Sequence, residues 1–276
     1  MSSEENMHIV RKNKITILRK QNAIEEEIAN LVDTEVGDIK ISHSLLMTMI
    51  DGKATSILCD TSSHRCDICK ATPTEMNNLP LIVSKPTDPD LCRYGLSSLH
   101  IWIRMMECIL HIAYRLTIQT WTVKGDSKCI MESRKKTIQD AFKNRIGLLI
   151  DIVKQGHGST NDGNTARRFI ANPNLTAEIT GVSGDLIRWF AIILEAISSG
   201  NHIDTVKFHE YAQATMQLYL YLYSWYYMPS SVHKVLMHGA AWSIGQLSEE
   251  AAEARNKDFR RYRQHHSRKC NKKATN

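Results

Sequence analysis

The stretch Leu96–Leu116, LSSLHIWIRMMECILHIAYRL, decides how the chain is read. Its apolar residues recur at helical spacing, which predicts one long helix rather than a strand. The same signal extends outward on both sides. Arg134–Val153, Gly184–Ser198 and Thr205–Tyr223 read as helices, and Thr165–Ala171 as a helix that stops before Pro173. His233–Trp242 reads as a short helix after Pro229, and Ser248–His266 as a last one with a serine N-cap. Gly156–Gly163 (GHGSTNDG) is a loop and Pro80–Pro89 a connector. Upstream, Asn22–Leu31 (NAIEEEIANL) is helical. Ile39–Ile50 carries no charge after Lys40 and runs into Asp51-Gly52-Lys53, which predicts a buried strand ending in a turn. Little strand signal follows residue 60. The expected fold class is mainly α, attached to a small α/β remnant, with no internal repeat.

A chain of 276 residues with 42% apolar residues can bury one large core or two modest ones. The longest charge-free stretch, Tyr211–Val232, contains Gln213, Gln217, Ser224, Pro229 and several tyrosines. It is too polar for a membrane span and reads as a buried amphipathic helix, so no membrane partner is expected. The N-terminus, Met1-Ser2-Ser3-Glu4-Glu5, lacks the cationic start and apolar run of a signal peptide. The seven cysteines are an odd number, which argues for a reducing compartment and for thiols used in packing or metal binding. Lys and Arg outnumber Asp and Glu by 35 to 29. The excess gathers between Arg255 and Lys273, where nine cations face only Asp258. That segment is either a contact for a polyanion or a solvated tail.

Two pairs of residues carry metal-ligand spacing. Cys66-Asp67-Ile68-Cys69 is a C-x2-C pair, whose two thiolates can reach one tetrahedral metal from a tight turn. His233-Lys234-Val235-Leu236-Met237-His238 is an H-x4-H pair, within the usual spacing of zinc histidines if it lies at a helix start or an irregular turn. Each pair alone has another reading: a chance or redox pair of cysteines, and histidines satisfied at the surface or in the core. Joined, they would form a Cys2His2 site whose loop closure costs roughly 4–5 kcal/mol. Structural zinc supplies roughly 10–16 kcal/mol in small model sites.

Carboxylates and cations form a second group of candidates. Asp51, after an apolar run and before glycine, is placed as metal-dependent nucleotidyl transferases place an acid, although Asp-Gly is also a common turn. Glu253 shares a helix face with Lys257 and with Arg260 or Arg261, which suits a metal beside a phosphate or an ordinary helix ion pair. Arg167 and Arg168 follow the polar loop Asn161–Asn164 into a helix, as a phosphate site or as a capped surface helix. Trp225, in an aromatic run, either stacks on an extruded base or packs in the core.

Taken together, these segments resemble the catalytic core of the V(D)J recombination-activating proteins and their relatives, the Transib transposases. The motifs are a strand-end Asp with Gly-Lys, C-x2-C, a long helical stretch, H-x4-H, and Glu253 within SIGQLSEEAAEARNKDFRRYR. The last is the most specific. The resemblance spans residues 40–270 and is weak between motifs. It implies an RNase H-like fold with an Asp-Asp-Glu triad, interrupted by a zinc-bound helical insertion. Residues 1–62 would be a remnant of that core, 63–242 the zinc-binding insertion, and 243–276 the catalytic-Glu helix and basic tail. It implies that Asp51 and Glu253 are catalytic, holding Mg²⁺ or Mn²⁺, and that Cys66, Cys69, His233 and His238 hold structural Zn²⁺. Arg167, Arg168, Trp225, Lys257, Arg260 and Arg261 would contact DNA. It also implies a nuclear location, a homodimer and an accessory protein subunit. One departure matters. Only Asp33 and Asp38 occur before Asp51, too close to it for the family's first catalytic Asp. The expectation is a transposon-derived fragment that is inactive alone. The alternative is a non-catalytic, zinc-stabilised DNA-binding or scaffolding protein.

Overall fold

The computed structural model describes residues 14–42, 48–49, 52–95, 97–155 and 158–241, with 258 and 262. These residues are mainly helical. The central element is α4 (Ser98–Arg115). Its polar positions His100, Arg104, Glu107, His111 and Arg115 fall every three or four residues, a narrow stripe, while most of the remaining surface is buried. Ser97 caps its start, accepting from the His100 N–H at 3.1 Å.

Around α4 pack α5 (Asp126–Ile146), α6 (Gly163–Ile170), α8 (Gly184–Ile197) and α10 (Ser230–His238). Between them run α7 (Pro173–Thr180), against α8, and α9 (Thr205–Tyr223), against α8 and α10. The fit of α6 on α4 depends on Gly163, where an added Cβ would stand 2.2 Å from Leu99 Cδ1. Arg134 on α5 ties helix ends together. Its Nε donates to the Ala113 carbonyl at 2.5 Å and its Nη2 to the Thr180 carbonyl at 2.9 Å, both in the last turns of their helices. Phe142 and Phe169, both fully buried, meet with ring centroids 5.0 Å apart.

The expected helices at 184–198 and 205–223 agree with α8 and α9 to within a residue. Others differ. The helix expected from Arg134 begins at Asp126 and ends at Gly147, whose φ of 60° no helix continues. Pro173 does stop α6, but it also starts α7: Asn172 accepts from the Leu175 N–H at 3.1 Å, and proline sits in the first turn, where no donor is needed. The 80–89 connector contains α3 (Leu79–Ser84), with Pro80 again in its first turn.

The reading of 39–50 as one buried strand is corrected. β2 (Ile39–Ile41) is the exposed second strand of a hairpin with β1 (Thr34–Val36). Gly37, at φ 61°, supplies the positive φ that the two-residue loop needs. β3 (Thr48–Met49) pairs in parallel with β4 (Tyr94–Gly95), and Gly52–Leu58 forms a helix, α2, which packs against α1 (Lys14–Ala29). A third pair, β5 (Val153–Lys154) and β6 (Gly158–Ser159), flanks the glycine-rich loop. Among the described residues, no helix is long and apolar enough to cross a membrane.

Candidate metal centre

Residues 62–71 form a tight knuckle. The Cys66 N–H donates to the Ala71 carbonyl at 3.0 Å, and Lys70 takes φ 58° to close the turn. This directs both thiols of the C-x2-C pair to one side. The knuckle leads into Glu75, whose carboxylate accepts from the Thr72 N–H at 2.7 Å and pairs with Lys85 at 3.0 Å. Those contacts, the Thr72 N–H first, hold its pKa down at about 2.

The other half comes from α10. Both histidines lie within this one regular helix, with His238 its last residue, rather than at an irregular turn. An i, i+5 pair is not aligned on a helix, yet the two rings lie 5.4 Å apart between centroids. The helix is set against the knuckle by several contacts. The Ser230 hydroxyl donates to the Ser63 carbonyl at 3.0 Å. Asn77 donates to the Ser224 and Tyr226 carbonyls at 2.9 and 3.0 Å and accepts from the Met228 N–H at 2.9 Å. The Lys234 ammonium forms an ion pair with Asp67.

The result brings Cys66, Cys69, His233 and His238 together, with one donor atom from each and all four within 4.8 Å of one another. The residues are 0%, 3%, 0% and 8% exposed. Cys69 Sγ is 3.3 Å from His233 Nε2. His233 Nδ1 and His238 Nε2 are buried without a protein hydrogen-bond partner. Two thiols and two imidazoles buried together, one thiol 3.3 Å from a ring nitrogen, are a donor set that fits a metal better than apolar packing. Tetrahedral zinc would set these donors roughly 3.3–3.8 Å apart, a small contraction from what is seen. The electrostatics prepare one thiolate and one neutral imidazole, while Cys66 would give up its proton on binding. Cys69 is pulled down, first by the hydrogen bond from the Cys66 thiol and then by His233 and His238. Cys66 is pushed up by donating that bond and by burial. Burial holds His233 below its ordinary value and therefore neutral. Thiolate and neutral imidazole are the forms that bind a metal.

The other candidates are spread through the chain. Arg167 lies with its guanidinium 5.2 Å from the centre of the Trp102 ring, and Arg168 donates to the Ile146 carbonyl at 2.8 Å. Both cations are therefore engaged by the bundle at the end of α6. Trp225 is half-buried and meets Tyr223 and Tyr226 edge-on, at 6.4 and 5.9 Å. Asp33 is paired with Lys40 at 2.9 Å on the hairpin. Asp51, Glu253, Lys257, Arg260 and Arg261 lie outside the described residues. Reading the sequence missed Asn77, Asp67 and Lys234. The first carries no periodic or motif signal. The other two stood inside the quoted motifs and were passed over as spacers. No protein-family model matches the chain, and no curated protein matches it.

Proposed function

We propose that the chain is a zinc-stapled fragment of the catalytic core of a DDE-type DNA transposase or recombinase, of the V(D)J recombinase and Transib kind. The observation that supports it is the convergence of Cys66, Cys69, His233 and His238 from ends of the helical region more than 160 residues apart. A chance C-x2-C and a chance H-x4-H have no reason to meet. On this reading residues 63–242 are the helical insertion, and the zinc is structural. Four protein donors close the coordination shell and leave no open position for chemistry. The insertion interrupts an RNase H-like core, to which residues 1–62 and 243–276 contribute.

The chemistry of the lineage belongs to Asp51 and Glu253. Together with a further carboxylate they would hold Mg²⁺ or Mn²⁺, which activates water and then a 3′-hydroxyl for nicking and strand transfer. Arg167, Arg168, Lys257, Arg260 and Arg261 would contact DNA phosphates, and Trp225 an unstacked base. Neither Asp preceding Asp51 suits the third position, since Asp33 is engaged with Lys40 on an exposed hairpin and Asp38 lies in its turn. The chain on its own is accordingly an incomplete nuclease that keeps DNA binding, acts in the nucleus and works as a homodimer or with an accessory subunit.

The deciding experiment is Mn²⁺-dependent nicking of supercoiled plasmid by the purified chain, alongside Asp51→Ala and Glu253→Ala. Weak nicking lost in both variants supports the enzyme lineage. DNA binding without nicking, unchanged in both variants, favours a zinc-stabilised DNA-binding or scaffolding protein. A chain that binds neither zinc nor DNA removes both readings.

A further inference from the structure

Beside the four donors lies a feature that the ligand set does not require. Asp67 stands between the two cysteines and Lys234 directly follows His233, and their side chains form an ion pair. These side chains are 4% and 11% exposed, against 23% and 26% for the Asp151–Lys135 pair on the bundle surface. Taking two charges out of water is costly. A buried pair is often no more stabilising than apolar side chains of the same volume, so a gain in stability does not account for it. What the pair has is position. Each partner is covalently next to a metal-ligand candidate, one on either side of the centre, and the contact forms only when α10 sits in one register on the knuckle.

We infer that Asp67 and Lys234 are positioning residues that fix α10 on the knuckle in the register where the four donors converge, and so set the affinity of the centre for its metal. The inference rests on reading Cys66, Cys69, His233 and His238 as metal ligands. A site built from two distant segments binds tightly only if those segments are held together before the metal arrives, because otherwise binding must also provide the ordering. Asn77 and Ser230 join the same segments farther from the donors. The ion pair is the link adjacent to them. Groups that orient a metal's ligands typically contribute 10- to 100-fold to metal affinity.

The test uses the full chain, with zinc affinity read by competition against a chromogenic chelator and geometry read from the visible absorption of the Co²⁺-loaded protein. Lys234→Met and Asp67→Asn should each weaken zinc about 10- to 100-fold and shift the Co²⁺ bands. The double variant Asp67→Asn/Lys234→Met leaves no uncompensated charge. It should recover part of the thermal midpoint lost by the single variants while keeping the weakened affinity and altered spectrum, and Lys234→Arg should restore most of the affinity. Wild-type affinity and Co²⁺ spectrum in the double variant would overturn the positioning role. An unaltered chain that takes up neither zinc nor cobalt would instead remove the metal centre itself, so the two failures are distinguishable.

Discussion

The helices between Ser98 and His238 and the hairpin Thr34–Ile41 belong to one chain but dispose of their apolar residues in opposite ways. In α8, Leu186, Ile187, Phe190, Ile193, Leu194 and Ile197 fall on one face, and all are buried. In the hairpin, Val36, Ile39 and Ile41 are 57%, 66% and 43% exposed. The helical region therefore has its own core, closed by the knuckle and α10. The hairpin is held by backbone pairing, the Gly37 turn and the Asp33–Lys40 ion pair, with its apolar side chains largely exposed. What closes the helical core is the meeting of distant segments, among them the cluster of Cys66, Cys69, His233 and His238, which could hold a metal.

Removing the metal is the severest way to break this contrast. Structural zinc contributes roughly 10–16 kcal/mol in small sites, more than the bundle can be expected to spare. Excess chelator, or Cys69→Ser, should lower the far-UV circular-dichroism melting midpoint of the helices sharply and open α10 to protease, leaving the hairpin's amide resonances in place. A chelator-insensitive melt in protein carrying well under one zinc would refute the expectation. Next in size is Phe169→Ala, which leaves a cavity against Phe142 and should cost about 3–5 kcal/mol by denaturant titration. Asn172→Ala removes the cap of α7 and should cost about 1 kcal/mol, measured the same way. Smallest are Val36→Thr and Ile39→Thr, which should change stability by less than about 0.5 kcal/mol. A loss of several times that would show the hairpin to be part of the core after all.

Much of the helical region was legible because burial imposes a period. α4, α8 and α9 bury a face each, and their apolar spacing marks them within a residue or two. α5 was read late because its first turns carry mostly polar residues and only Ile138 and Phe142 are deeply buried, so its N-terminal half leaves little hydrophobic pattern. α7 was missed because Pro173 reads first as a stop, although the same ring suits a first turn. Residues 39–50 misled because an uncharged apolar run looks like a buried strand wherever it lies, and only the tertiary fold reveals that β2 is exposed. At the metal centre the four donors were legible from spacing. That they face one another was not, since nothing local in HKVLMH or CDIC encodes a partner far along the chain. Asn77 was illegible for the same reason: its role consists entirely of contacts with the Ser224–Met228 turn.

The separation of 164 residues between Cys69 and His233 also has a consequence during synthesis. At ribosomal speeds of about 5–20 residues per second, the knuckle emerges roughly ten to thirty seconds before α10 exists. For that interval the nascent chain carries an adjacent pair of thiols without His233 and His238 to complete their shell. They are open to oxidation or to a borrowed ion until α10 follows and closes the shell.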